Sequence, residues 1–172
     1  MSQNQGSYNV PILRFPGYNN GWENKTLESI VSNISSGKSK NINLDGKYPF
    51  YGSTGIVGFS DSYDYSEKCL LIARVGANAG FLYKVSGNYC VTDNTLMINV
   101  PKDIDEDYLY YLLIKSNLNK LIYGSGQPLI TSGMLKSLFI NIPSLPEQQK
   151  IASFLTTVDE KLQSLKKKKT LL

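Results

Sequence analysis

Few residues in this chain are equipped for chemistry. Cys69 and Cys90 are its two cysteines, and no histidine occurs among its 172 residues. The acidic run at 103–107, with Asp103, Asp105, Glu106 and Asp107, has the ligand types of a hard-metal site. Glu23-Asn24-Lys25 has the acid-x-Lys spacing of some metal-dependent nucleases. Three Gly-rich polar loops, Gly52-Ser-Thr-Gly55, Gly76-Ala-Asn-Ala-Gly80 and Gly124-Ser-Gly126, have the composition of phosphate cradles.

Most of these chemistries lack a necessary companion. Without histidine there is no Ser-His-Asp or Cys-His pair, no imidazole base and no His-ligated zinc or iron. Two cysteines do not make a thiolate zinc site, and both lie in apolar runs, where buried free thiols are expected. No Pro-Asp precedes Glu23-Asn24-Lys25 to supply a second metal ligand. The acidic run opens a helical pattern, where carboxylates favour the helix dipole, so helix initiation outweighs metal binding. No P-loop occurs, and no Gly-rich loop follows a strand and opens a helix in a dinucleotide-binding pattern. A methyltransferase's Asn-Pro-Pro-Tyr-like run is absent too. Neither a catalytic residue nor a metal or cofactor is expected.

The elements that would position the remaining polar residues follow from periodicity. Residues 1–21 read as an extended arm punctuated by Pro11, Pro16 and Gly17, with Trp22 anchoring its end. Thr26 reads as an N-cap. Leu27, Ile30, Val31 and Ile34 at i, i+3, i+4 and i+7 predict a helix ending near Gly37. Short apolar runs at 48–51, 56–59, 69–75, 81–85, 89–91 and 95–100 predict strands, with a hairpin at Ser86-Gly87-Asn88. A helix follows from the acidic run to about Tyr123, then a short helix at 131–137 and a strand at 138–142. The class is α+β: a β-rich body with a few short helices, then a long C-terminal helix.

Pro143-Ser-Leu-Pro146 reads as a stiff hinge, and Pro146 suits a first helical turn. Beyond it Ile151, Leu155, Val158, Leu162, Leu165, Lys169 and Leu172 alternate in steps of four and three, a coiled-coil seam. At 1.5 Å per residue, a helix of roughly 26 residues reaches ~39 Å. Such a helix needs a partner, and the pattern reads as though more helix should follow. Three units of domain organisation are expected: 1–21, 22–145 and 146–172.

The formal charge of +4 comes from 18 Lys and Arg against 14 Asp and Glu. Residues 146–172 hold six lysines and three acids, or +3, so the rest is almost neutral. Bulk positive charge of the kind that binds nucleic acid is therefore not evident in the body. No secretory signal opens the chain and no apolar run approaches ~18 residues, which reads as a soluble cytoplasmic protein without membrane contact.

Six stretches, taken in order, resemble a specificity subunit of type I restriction-modification systems, or one half of one. They are Leu13-Arg-Phe-Pro-Gly-Tyr18 before Trp22; Gly46-Lys-Tyr-Pro-Phe-Tyr-Gly-Ser-Thr-Gly-Ile56; Leu71-Ile-Ala-Arg-Val-Gly-Ala-Asn-Ala-Gly80; Val91-Thr-Asp-Asn-Thr95; Gly124-Ser-Gly-Gln-Pro-Leu-Ile-Thr131; and Ile142-Pro-Ser-Leu-Pro-Glu-Gln-Gln-Lys-Ile-Ala152. The resemblance implies a single target recognition domain at 22–145 that reads one half of a split double-stranded DNA target. It implies a spacer and dimerisation helix at 146–172. Modification subunits would methylate adenine and restriction subunits would cleave, so this subunit would be non-catalytic. A half-subunit would pair with a second half or with its own copy, and a homodimer would read a palindromic split target.

The resemblance carries no residue code for DNA contacts, so candidates come from chemistry. Arg reads guanine, and Asn or Gln reads adenine; Ser, Thr and Lys hold phosphates. The first loop region offers Lys38, Lys40, Lys47, Tyr51, Ser53 and Thr54. The second offers Arg74, Asn78 and Lys84, and the third Ser125, Gln127 and Thr131. Arg74 lies in an apolar run and could equally be a buried, paired arginine. Asn78 could serve a turn, and Gln127 could cap the helix near Thr131. The interface candidates are Ile151, Leu155, Val158, Leu162, Leu165 and Leu172. The alternative function is a coiled-coil interaction protein, or an assembly antagonist, without specific DNA binding of its own.

Overall fold

The computed structural model describes residues 11–122 and 128–170. Its elements run β1 (Glu23–Thr26), α1 (Leu27–Ile30), β2 (Asn33–Ser36), β3 (Tyr48–Gly52), β4 (Gly55–Ser60), β5 (Cys69–Ala73), β6 (Leu82–Val85), β7 (Cys90–Val91), β8 (Thr95–Asn99), α2 (Glu106–Ser116), a 3-10 turn (Leu118–Leu121), α3 (Ser132–Lys136), β9 (Phe139–Ile142) and α4 (Leu145–Thr170). The α+β class with a long C-terminal helix is as expected from the sequence.

Three sheets form. The central one is antiparallel in the order β2-β8-β5-β6; β4-β3-β7 makes a second, and β1-β9 a third. All five residues of β5 are buried, because the central sheet is covered on both faces. Alternation divides its side chains. Leu70, Ile72, Leu96 and Ile98 join Leu27, Leu109, Leu113 and Leu135 in the larger core. Cys69, Leu71 and Met97 face the other way, onto Val85, Tyr89 and Val91.

Local details depart from the sequence reading in three places. The first helix covers only Leu27–Ile30, and Thr26 flanks it without a side-chain cap bond. Ile34 is buried as its spacing predicted, but from β2, whose register pairs it with Ile98. The sheet edge offered by β8 outweighs helix propensity over 33–36. The turn at Ser86-Gly87-Asn88, with Gly87 at φ 81°, does not close a hairpin. β6 pairs with β5 while β7 pairs in parallel with β3, so the turn carries the chain between sheets. Helix α2 ends at Ser116, where Asn117 adopts a left-handed conformation and the 3-10 turn begins.

Candidate nucleic-acid interface

Segments far apart in sequence converge on the turn at 92–94. The Gly37 amide donates to the Thr95 carbonyl (3.0 Å) and the Ser39 amide to the Val91 carbonyl (2.9 Å). The Thr92 amide donates to Tyr51 and the Arg74 amide to Asn94, both at 2.9 Å. The Ile130 amide then reaches the Arg74 carbonyl (2.8 Å), and the Gly76 amide reaches Pro128 (3.1 Å). Backbone bonds thus stitch parts of all three predicted loop regions into one rim. The sequence reading assigned no chemistry to Thr92, Asp93 and Asn94 at its centre. Their only sequence signal was the run Val91-Thr-Asp-Asn-Thr95.

Lys38 and Lys40 are exposed on this rim. Between them Ser39 is buried, its hydroxyl accepting from the Val91 amide (3.0 Å) and donating to the Asp64 carboxylate. A cleft of about 460 Å³ is lined by Gly37, Lys38, Ser39, Lys40 and Asp93. Ser53 and Thr54 form the β3–β4 tip, where the Tyr83 hydroxyl donates to the Ser53 carbonyl (3.4 Å). Tyr51 is half-buried against Tyr89, with ring centroids 6.0 Å apart, and burial raises its phenol above the ordinary range. Lys47 lies 5.4 Å from the centroid of the Tyr48 ring, which itself meets Tyr63 edge-on.

Arg74 is half-buried, and among the described residues no carboxylate lies within ion-pair distance of it. The paired-arginine alternative therefore does not hold. Asn78 is exposed in the turn after β5, its carbonyl accepting from the Phe81 amide (2.8 Å). Thr131 caps α3, accepting from the Met134 amide (3.2 Å), so the cap is Thr131 itself. Lys84 stands with α2: it pairs with Asp107 (2.7 Å) and lies 4.9 Å from the Tyr110 ring centroid. Ser125, Gln127 and Leu172 fall outside the described residues.

The acidic run serves α2. Asp105 accepts from the Tyr108 amide (2.8 Å) as its cap, and Asp107 holds Lys84. Glu106 is partly buried, and burial raises its carboxyl above the ordinary range, Lys68 opposing and Asp107 adding. A carboxyl raised on folding leaves stability intact below its unfolded value and subtracts from it as pH rises through the folded value. Glu106→Gln should therefore melt higher than the parent at pH ~7, the gain vanishing below about pH 4. An equal difference at both pH values in thermal melts would contradict this.

Both cysteines are buried and free. Burial pushes the Cys69 thiol up to about 12, against the smaller effect of its hydrogen bond to Ile98. At pH 8 roughly one in 10,000 such thiols is ionised. Native protein should leave Cys69 unmodified by a thiol reagent that labels it on denaturation, as peptide mapping would read.

Helix α4 is fastened to the body at its first turns. Glu147, 1% exposed, accepts both Arg14 Nε (2.6 Å) and Arg14 Nη2 (2.7 Å), and the Trp22 indole at 3.3 Å. That hydrogen bonding raises the Arg14 pKa, against a smaller lowering from burial. Gln148 donates to the Pro143 carbonyl and accepts from the Asp105 amide, both at 2.9 Å. Phe15 of the arm meets Phe154 edge-on. Further along, the Tyr111 hydroxyl bonds Asp159 (3.0 Å). The stiff junction is thus held from both sides. Of the seam, Ile151 and Leu155 are half-buried and line an apolar groove with the arm. Val158, Leu162 and Leu165 are exposed. Among the described residues no helix is long and apolar enough to cross a membrane, and no group of three His, Cys, Asp or Glu is placed to hold a metal ion.

The family model of the type I restriction modification DNA specificity domain matches residues 19–172. The chain is 31% identical over 112 residues to the type I restriction enzyme EcoprrI specificity subunit of Escherichia coli, covering 65% of this chain and 28% of the relative. It is 29% identical over 136 residues to the MjaVIII specificity subunit of Methanocaldococcus jannaschii, covering 77% and 27%. Among solved structures, the type I restriction-modification S subunit from M. genitalium superposes with a TM-score of 0.73, at 22% identity, over 89% of this chain and 42% of that one. The HsdS subunit from Thermoanaerobacter tengcongensis gives 0.62, at 19% identity, over 93% and 42%. The chain thus spans under a third of these two curated relatives and under half of each solved chain. With a family match over nearly its whole length and a fold shared with S subunits, the chain belongs to the type I restriction-modification DNA specificity family.

Proposed function

We propose that this chain reads one half of a split double-stranded DNA target and directs adenine methylation, and restriction, by partner subunits. Residues 22–145 act as the recognition domain and 146–172 as the spacer and pairing helix. The observation that carries the reading is the rim around 92–94, where three loop regions become one polar surface on a body clamped to a projecting helix. Lys38, Lys40, Tyr51 and Arg74 are the candidates beside these bonds, and Ser53, Thr54, Asn78 and Thr131 act with them in this reading. Pairing through Val158, Leu162 and Leu165, with a second half or a second copy, brings two such rims to one duplex; two copies read a palindromic split target. Modification subunits supply catalysis and restriction subunits join through them. The site of action is the cytoplasm, where the DNA lies.

The body is nearly neutral, so its affinity alone is weak and the assembled complex is the species to measure. Co-expression with the cognate modification subunits and methylome sequencing should yield one split motif carrying methyladenine. In titrations the complex should bind that motif with an affinity that falls steeply with salt. A purified complex that leaves no defined motif methylated would sink the proposal in favour of the interaction-protein reading.

A further inference from the structure

Three buried side-chain polar atoms lack a hydrogen-bond partner among the described residues: Arg74 Nε, Thr95 Oγ1 and Glu106 Oε1. They are not equivalent. A hydroxyl is neutral, and a carboxyl can take up a proton. A guanidinium keeps its charge in proteins and has five donors to satisfy. The chain has two arginines. Arg14 satisfies the rule for a sequestered guanidinium, with a bidentate carboxylate and a further bond to the Asn20 carbonyl. Arg74 breaks it. Among the described residues its one side-chain hydrogen bond is Nη1 to the Ser36 hydroxyl at 3.4 Å, a long bond. Among the described residues, then, the half-buried Arg74 has no acceptor at Nε and no carboxylate partner, which leaves its charge open to an anion.

Geometry narrows what that acceptor is. The Arg74 backbone is held on both sides, its amide by the Asn94 carbonyl and its carbonyl by the Ile130 amide, so its Cα is fixed within the rim. Nε is buried and the residue as a whole half-buried, which sets the guanidinium back from the surface. Base edges lie at the floor of a major groove ~8.5 Å deep, beyond a recessed group, whereas phosphates are the outermost atoms of the duplex. Lys38 and Lys40 stand exposed on the same rim, and Asp93 lines their cleft.

We propose that Arg74 is a backbone-phosphate anchor of the recognition rim, setting affinity and register while other residues read bases. The proposal rests on the DNA-binding reading above. It places Arg74 among sequence-independent contacts, although arginine is the commonest reader of guanine.

The test uses the assembled complex with its modification subunits, comparing the parent with Arg74→Gln and Arg74→Lys on cognate and scrambled duplexes across a salt series. Arg74→Gln should weaken binding to both duplexes by a similar factor, about tenfold, and make the slope of log affinity against log salt shallower by ~0.9. The methylated motif should stay the same. Arg74→Lys should restore most of the affinity and slope, because a point charge suffices for phosphate but not for a bidentate base contact or a shaped buried bond. Unchanged binding in Arg74→Gln overturns the proposal. So does a motif relaxed at one position, which would mark a base reader. Early melting of both variants, with no rescue by lysine, would mark a structural arginine and overturn it too. If the parent complex itself binds no specific duplex, the DNA-binding reading fails, a result distinct from any of these.

Discussion

Glutamate at both Leu162 and Leu165 should abolish pairing of the helix while leaving the body folded. Leu162 is 48% exposed and Leu165 62%, so neither supports the chain's own core. Burying a leucine in a seam is worth ~2 kcal/mol, and two together correspond to roughly a thousandfold in the dissociation constant. Introduced carboxylates facing a second copy add repulsion. Sedimentation equilibrium of the chain and pull-down by the modification subunits both read the effect. Unchanged behaviour in both would show that the seam is misplaced. Leu155 is the poorer site for this test, because it lines the groove under the arm and a charge there would disturb the clamp on α4.

The second large effect is expected from one added methyl group, in Gly37→Ala. A Cβ at Gly37 would lie 2.4 Å from the Val91 carbonyl oxygen, 2.5 Å from the Thr92 carbonyl oxygen and 2.6 Å from Val91 Cγ1. Two of those neighbours are backbone and do not step aside. Relief requires separating 37–39 from 91–95, the pairing on which the rim is built. Overpacking of this kind costs about 3 kcal/mol, or roughly 6–12 °C in Tm for a domain of this size. Gly133→Ala is the control, since its Cβ would meet only Thr131 Oγ1 at 3.8 Å. Leu109→Ala in the larger core should cost a similar 2–5 kcal/mol without touching the rim. If Gly37→Ala weakens DNA binding no more than Leu109→Ala does, the rim is not the binding surface.

Strands and the long helix were legible because their signals are local. Apolar runs between Gly, Asn and Ser clusters located β3 through β8, and the four-three spacing located α4. What failed were inferences about partners. Ile34 was rightly read as buried but wrongly as helical, because β8 was not visible as a competing hydrogen-bond partner. Ser86-Gly87-Asn88 was rightly a turn, yet the strands beside it belong to different sheets. Lys84, grouped with Arg74 by sequence proximity, lies in β6 and pairs with Asp107 of α2, a partner that only the fold reveals.

By itself, the sequence determined the α+β class, the positions of β3 through β9, the helix with its apolar seam, and a motif order that resembles one family. Each depends on side-chain periodicity, turn chemistry or residue order, all carried within short stretches of chain. The tertiary structure alone decided that Arg14 meets Glu147 across 133 residues, that parts of three loop regions share one rim, and that Arg74 Nε has no acceptor among the described residues. Those outcomes depend on which distant backbone groups pair and which side chains are left over, and no local pattern encodes a leftover.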